Sequence, residues 1–381
     1  MKIVFVSEHY PSKEHTQYCV YLQQQALALI QLGHEVEVVR LLKGVECMSE
    51  EILAGIKIFS VCISNRAVDK IYADYRSRLA GKIDWRKYDV VSIHLVSVPF
   101  ASVIVSDCCK VHVPVVFHFH GLNVWEDYYK KNTILHKLLH TINLKRKLNM
   151  LRRCKAIVGV SKGVCEVIQT RLQQPKSYLV YNGVDIEKFP RTLKDISKDG
   201  VFRILCVANY IPIKGQSYLI KAIYELTRSG RNVVLNLIGQ GPDETKLKSL
   251  THELKIDDRV SFLGLKPYED VYRYMSLSDM FIMPSFYDSF GCVYVEAMST
   301  GTVTCGCDIY GPKEIIEDGV SGLLVKPKSV ESIVEAVKTV MDNPDLRKNL
   351  EQNAIKRAAR FSWHQSAKEL EKVYKDSIAN T

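Results

Sequence analysis

Nowhere in these 381 residues does an apolar run reach the roughly 18 to 20 positions that a membrane-spanning helix needs. Repetitive and long polar tracts are missing too, so a disordered chain is not the expectation. Met1-Lys2 runs straight into a strand-like IVFV, without the length or cleavage site of a signal peptide. The 11 cysteines show neither zinc-ligand spacing nor Cys-x-x-Cys, and Cys305 and Cys307 alternate within an apolar run. Reduced thiols in a cytoplasmic protein are therefore expected. No base-stacking or groove-reading motif accompanies the basic residues, which argues against a nucleic-acid partner.

What is present is an ordinary globular composition, 47% apolar and 25% charged, on a chain long enough for two domains with their own cores. The net charge of +10 is uneven. Residues 1–190 carry 26 Lys and Arg against 17 Asp and Glu, and residues 191–381 carry 26 against 25. The excess in the first half points to an anionic partner there, a membrane surface or a phosphorylated substrate.

Short apolar runs recur at strand length: KIVFVS (2–7), HEVEVVRL (34–41), IKIFSV (56–61), YDVVSIHL (88–95), PVVFHFHG (114–121), KAIVGVS (155–161) and SYLVYNG (177–183). Helical patterns such as VYLQQQALALIQLG (20–33) lie between them. Val/Ile runs alternating with helices predict a parallel sheet covered on both faces. The pattern stops at FPRTLKDISKDG (189–200), a linker, and restarts with FRILCVAN (202–209), NVVLNLIG (232–239), RVSFLG (259–264), MFIMPS (280–285), TVTCG (302–306) and GLLVKP (322–327). The expectation is an α/β chain of two doubly wound, Rossmann-like domains, 1–188 and 189–363, facing across a cleft. A helix over about 364–381 is expected to pack back on the first domain. Ligands of such sheets bind beyond the carboxyl ends of the strands.

The stretch SFYDSFGCVYVEAMSTG (285–301) carries two acids, Asp288 and Glu296, around a glycine turn. It follows a strand and opens a helix. A phosphate would sit well at the amides of Gly291, Cys292 and Val293. Glu296, inside the helix, would accept hydrogen bonds from a ribose, and Asp288, in the loop, would face a second sugar. The other reading makes Asp288 a helix cap and Glu296 a solvated helix residue.

The run DSFGCVYVEAMSTG resembles the acid-x7-acid signature of retaining glycosyltransferase family 4, whose fold is GT-B. The resemblance covers nearly the whole chain. YNGVDIEKF (181–189), LIGQGPDETKLKSLTHELKIDDRVSFLG (237–264), YMSLSDMFIMPS (274–285) and YGPKEIIEDGVSGLLVKP (310–327) are similar to the family's other motifs, in the right order. It implies donor binding by Asn209, Lys214, Phe290, Gly291, Cys292, Val293 and Glu296, with Glu296 on the ribose. Catalytic roles fall on Asp288 beside the transferred sugar, on Lys214 at the diphosphate, and on His120 of HFHG at the reaction centre. Taken without the resemblance, Lys214 is equally an exposed turn lysine, and His120 a hydrogen-bonded histidine at a strand end.

The sequence departs from the family pattern in three places. Asn209 stands where the family has an arginine five residues before the lysine, which leaves Lys13 and Lys162 as other cations. Asp288 replaces the usual glutamate, and SEHYPSKEHTQYCVY (7–21) lacks the usual glycine pair.

The resemblance implies a retaining, metal-independent transferase without cofactor. It would move a sugar from a UDP- or GDP-linked donor to a glycan or lipid-linked acceptor, in bacterial surface polysaccharide or glycolipid synthesis. The chain contains no Asp-x-Asp pair, the metal-binding signature of the other main transferase fold. A nucleotide-sugar 2-epimerase or a non-catalytic nucleotide-sugar binder would share the architecture. A hydrolase using the two acids as an acid/base pair is disfavoured, because they fall at opposite ends of a ligand. The segment 132–155 interleaves apolar positions with Lys137, Lys145, Arg146, Lys147, Arg152, Arg153 and Lys155. Such a basic amphipathic helix would place the protein on the inner face of the cytoplasmic membrane, each cation near the surface contributing about 1 kcal/mol. An ordinary domain helix with a solvated basic face fits the same pattern.

Overall fold

The computed structural model describes residues 1–12, 19–43, 48–63, 83–121, 145–172, 177–185 and 199–381. Most of the linker 189–200 lies outside the described residues. The chain divides into two compact units, Met1–Gly183 with Trp363–Thr381, and Val184–Ser362.

The first unit is built on an eight-stranded sheet of order β3-β4-β2-β1-β5-β6-β7-β8. Its strands are β1 (Lys2–Ser7), β2 (Glu35–Lys43), β3 (Met48–Leu53), β4 (Ile56–Ile63), β5 (Val90–His94), β6 (Val115–Phe119), β7 (Ala156–Gly159) and β8 (Ser177–Leu179). Every pairing is parallel except β3 with β4. β1, β5, β6 and β7 are buried almost throughout, as strands covered on both faces must be.

β3 breaks the sequence-based expectation of a purely parallel sheet. It turns back from β4 through Ala54 and Gly55, both at positive φ (51° and 80°), the two-residue hairpin turn whose twist matches the strands. It reads MSEEIL and leaves Glu50 and Ile52 exposed at the sheet edge, so it carries no apolar run. Its anchor is Glu51, which pairs with the buried Arg40 guanidinium at 2.5 Å.

Helices α1 (Val20–Gln31), α2 (Val98–Lys110) and α3 (Lys162–Arg171) belong to this unit. The C-terminal helix, Trp363–Ala379, packs against α1 and buries Ala367, Leu370, Val373 and Tyr374. Those positions repeat every three or four residues, one helical face, and they join the core of Ile3, Phe5, Leu22 and Leu29.

The second unit carries a six-stranded, wholly parallel sheet of order β11-β10-β9-β12-β13-β14. Its strands are β9 (Phe202–Val207), β10 (Val233–Ile238), β11 (Val260–Phe262), β12 (Met280–Met283), β13 (Val303–Cys307) and β14 (Leu323–Val325). Its helices are α4 (Gln216–Arg228), α5 (Glu244–Glu253), α6 (Tyr268–Leu277), α7 (Cys292–Ser299), α8 (Tyr310–Ile315), α9 (Val330–Asp342) and α10 (Pro344–Ala358), which makes the C-terminal helix α11. Asn209 follows the end of β9 and Asp288 the end of β12; in the first unit, His94 ends β5 and His120 follows β6. Each of these lies at a strand's carboxyl end, where doubly wound sheets bind ligands.

Candidate active site

Three backbone features bring the candidate residues of the second unit together. The first is α7, which starts at Gly291 with φ 89° and no side-chain cap. A Cβ at Gly291 would lie 2.6 Å from the Tyr294 ring. Tyr294 is itself fixed, since its hydroxyl donates to the Met283 carbonyl at the end of β12 (2.8 Å). The helix amino end, with the amides of Cys292 and Val293, is thus held against the strand that leads into it.

The second is the turn Pro212–Lys214. Phe286 N–H donates to the Ile213 carbonyl (2.8 Å), and Ser285 Oγ donates to the same oxygen (3.2 Å). Gly215, at φ 73°, makes this contact possible, because a Cβ there would fall 2.2 Å from the Pro284 carbonyl oxygen. The contact places Lys214 Nζ 2.7 Å from Asp288 Oδ2, with both side chains largely buried. Replacing Gly215 by alanine is expected to cost about 1–3 kcal/mol from the left-handed backbone alone, and more from the clash. Chemical unfolding would measure it, and a loss below 0.5 kcal/mol, roughly the size of a neutral surface change, would count against this account.

The third is α6. Tyr268, its first residue, donates to Glu296 Oε1 at 3.1 Å and meets the Tyr272 hydroxyl at 3.1 Å. Glu296 is half-buried in α7, and burial pushes its carboxyl up to about 7, against the smaller opposing pull of the Tyr268 hydrogen bond. Asp288 therefore is not the cap of α7, and Glu296 is not a solvated helix residue. One acid holds a lysine and the other is held by a tyrosine.

Two sequence-based assignments need correction. Phe290 cannot present its ring to a donor: it is 2% exposed and packs edge-on to Phe361 at 5.7 Å. Its backbone carbonyl lies against Gly311 so closely that a Cβ there would come to 2.3 Å. Lys147 is not part of a solvated basic face. It is 3% exposed, its ammonium lies 4.7 Å from the centre of the Phe119 ring, and burial pulls it down to about 8. Lys145, Arg146, Arg152, Arg153 and Lys155 are exposed, and residues 132–144 of that segment lie outside the described residues. Asn209 is exposed, and its backbone carbonyl accepts from Gln216 Nε2 (2.9 Å). Lys162 is an exposed residue at the start of α3 in the first unit, and Lys13 lies outside the described residues.

His120 belongs to a cluster that sequence reasoning missed. Ser92 and His94 lie two residues apart on β5, and His118 and His120 two apart at the end of β6, with His94 paired in register to His118. The period of a strand puts all four on one face. His94 Nδ1 lies 2.9 Å from His120 Nε2. Ser92 Oγ is within 2.8 Å of His94 Nε2, 2.9 Å of His118 Nε2 and 2.7 Å of the Tyr374 hydroxyl. Burial holds His94 and His118 well below the ordinary histidine range, and His120 down to about 3, so the three rings are neutral at pH 7. Their ligand nitrogens lie within 4.8 Å of one another, close enough to raise a metal site. Those nitrogens, however, are engaged with one another and with Ser92: His94 Nε2 and His118 Nε2 both meet Ser92 Oγ, and His94 Nδ1 meets His120 Nε2, while the His94 and His118 rings stack at 4.0 Å and 24°.

Two doubly wound domains, the second with acids set about the amino end of a helix beyond its sheet, define a glycosyltransferase of the GT-B class. A family model described as Glycosyltransferase Family 4 matches residues 20–188, and one described as Glycosyl transferases group 1 matches residues 189–357. The chain belongs to this glycosyltransferase family. An uncharacterized glycosyltransferase of Methanocaldococcus jannaschii is 27% identical over 98% of this chain and 98% of its own. Among solved structures, sucrose-phosphate synthase from Thermosynechococcus elongatus superposes with a TM-score of 0.80 at 16% identity over 100% of both chains. HepE of Anabaena, in complex with UDP-glucose, gives 0.72 at 20% identity over 98% of this chain and 99% of the other. At such identities these structures speak for the fold. Among the described residues no helix is long and apolar enough to cross a membrane.

Proposed function

We propose that the chain is a retaining glycosyltransferase that moves a sugar from a nucleoside diphosphate to a glycan or lipid-linked acceptor in surface polysaccharide or glycolipid synthesis. The observation that carries this reading is the pair of anchored acids about the amino end of α7: Asp288 ion-paired to Lys214, and Glu296 held by Tyr268. A diphosphate resting at Gly291–Val293 would have a cation on one side. The ribose would lie towards Glu296, whose ionised carboxylate accepts from two vicinal hydroxyls.

In the transfer, the bond from the anomeric carbon to the diphosphate oxygen breaks, and its electron pair leaves with the phosphate. Negative charge grows on that oxygen, and Lys214 with the amides of Cys292 and Val293 stabilises it in place, the largest contribution such a site makes. The acceptor oxygen attacks from the face the phosphate leaves. Its proton passes to the departing phosphate oxygen, so no protein nucleophile is required. The charge of the diphosphate is met by Lys214 and backbone dipoles, without metal or cofactor. The exposed cations of 145–155 would meet an anionic lipid surface on the cytoplasmic side.

A thermal-shift series with UDP, GDP, ADP and their glucose conjugates tests the donor class. One nucleotide family is expected to raise Tm, by an amount that corresponds to about 2.7 kcal/mol at 100 times Kd. No response to any of them would reject the donor site. Incubation with the stabilising donor alone separates a transferase from an epimerase, which would convert the donor without an acceptor.

A further inference from the structure

We propose that Tyr268 and Tyr272 are positioning residues of the donor site: their hydroxyls form a one-way hydrogen-bond chain, Tyr272 to Tyr268 to Glu296 Oε1, that fixes the carboxylate and leaves its Oε2 for the ribose. This rests on the reading above that Glu296 takes the ribose.

The chain begins in the sequence of α6. Tyr268 and Tyr272 stand four residues apart, so their side chains lie one above the other on one helical face. Their rings meet edge to face, with centres 5.0 Å apart and planes at 71°, a favoured aromatic geometry. Tyr272 is 2% exposed, which sets the pair against the core. The helix is fixed in turn. Val271 and Met275 are buried, and Thr302 Oγ1 donates to the Met275 carbonyl (2.6 Å).

The direction of the chain follows from a proton count. Burial, with the Glu296 charge added, holds both phenols far above the ordinary tyrosine range, so each keeps its single proton. A hydroxyl with one proton donates once. Tyr268 gives its proton to Glu296 Oε1 (3.1 Å), so the 3.1 Å contact between the two hydroxyls is made by the proton of Tyr272. Each bond polarises the next, and the chain ends on an ionised carboxylate, where donors are held most strongly. A proton added at Oε1 would have to turn both bonds around. A proton added at Oε2 would put a donor where the ribose hydroxyls need an acceptor. The chain thus favours the form of Glu296 that accepts from a vicinal diol.

Glu296 Oε2 makes no hydrogen bond to a described residue and is not closed off from solvent. Among the described residues no cation bears on Glu296: burial raises its carboxyl and the Tyr268 bond alone opposes it. Asp185 and Cys292 act on the Tyr272 phenol instead. The other elements packed against α7 carry their own pairs, Arg347 with Asp279 and Glu351, Arg357 with Glu317, and Lys313 with Asp308. The thiols of Cys305 and Cys307 on β13 are kept neutral by burial.

The test is a pH titration of the full chain labelled with ¹³C at the glutamate carboxyls, without ligand, the Glu296 signal being assigned by its loss in Glu296→Gln. Phenylalanine keeps the ring pair and removes only a hydroxyl. Tyr268→Phe is expected to raise the Glu296 midpoint by about 1–2 pH units, the size of a hydrogen bond to a charged group. Tyr272→Phe should raise it by about 0.1–0.6 unit, the 10–30% by which one bond strengthens the next, and should shift nothing further in the Tyr268→Phe background. An unmoved midpoint in either single variant overturns the chain, and so does a Tyr272→Phe shift that persists without the Tyr268 hydroxyl, as simple repacking would give. Calorimetry with UDP, GDP and ADP in parallel reads the positioning role. For the nucleotide that binds the wild type, Tyr268→Phe should weaken Kd at least about 2-fold to 10-fold at pH 8, with the gap narrowing towards pH 9.5 as the carboxyl of the variant ionises. An unchanged Kd at pH 8, or a gap that does not vary with pH, removes that role. A wild type that binds none of the three but shows the expected midpoints removes the donor reading and the positioning role that rests on it, while the hydrogen-bond chain stands.

Discussion

Glu296→Gln is expected to raise the melting temperature at pH 8 and, in the same protein, to abolish stabilisation by a nucleotide sugar. Both effects follow from a carboxyl that burial pushes from 4.5 to about 7. The sign follows from linkage. Between these two values the folded protein holds a proton that the unfolded chain has released, so stability falls as pH rises through this window. Above 7 the folded state carries an ionised, half-buried carboxylate. The full interval corresponds to about 3 kcal/mol, and partial exposure of Glu296 lowers the expected gain to about 1–3 kcal/mol. In a unit of this size that is about 2–12 °C in Tm.

Glutamine keeps the oxygen that accepts from Tyr268 but cannot accept from two ribose hydroxyls as a carboxylate does. Hydrogen bonds to a charged group contribute about 1.5–3 kcal/mol each, so donor affinity should fall at least about 100-fold. The wild type should also bind the donor more tightly as pH rises through 7, and the variant should show no such dependence. Calorimetry at pH 6 and 8 on both proteins checks all three statements. A variant that binds normally at both values would place the ribose elsewhere.

The parallel strands were legible because each is a nearly continuous Val/Ile run, the pattern that burial on two faces imposes. β3 escaped because an edge strand has no such need: its Glu50 and Ile52 face solvent, and its turn is Ala54-Gly55 instead of the usual Asn-Gly. The two acids and the glycine turn were visible as a local motif. Their partners were less so. Lys214 is 74 positions from Asp288, and only the resemblance joined them. Tyr268 and Tyr272 fall at helical spacing and read as an apolar face; the phenolic oxygen that reaches Glu296 leaves no trace in that pattern. The histidine network had a local sign in the alternation of SIH and HFH, polar residues all on one face of strands that should be buried. Nothing local pointed to Tyr374, which reaches Ser92 from 282 positions away. Lys147 and Phe290 were misread for one reason: a charge in a basic run, or an aromatic in a binding motif, says nothing of which way a packed element turns it.

Lys214→Ala is expected to lose transfer about 100-fold to 1,000-fold, the magnitude of about 2.7–4 kcal/mol that follows removal of one preorganised partner of a developing oxyanion. It should also lose about 1–3 kcal/mol of stability, because Asp288, with its side chain 15% exposed, is left without its cation. Adding Asp288→Asn separates the two effects. The neutral amide has no charge to compensate, so the double variant should regain most of the stability and none of the rate. Asp288→Asn alone keeps the lysine but releases it from the 2.7 Å pair that fixes its position. Its nucleotide affinity should therefore hold or rise, because the cation no longer divides its charge with a carboxylate, while its rate falls. Unfolding curves and product release on the three variants distinguish this from a purely structural ion pair, which would predict rate recovering together with stability in the double variant.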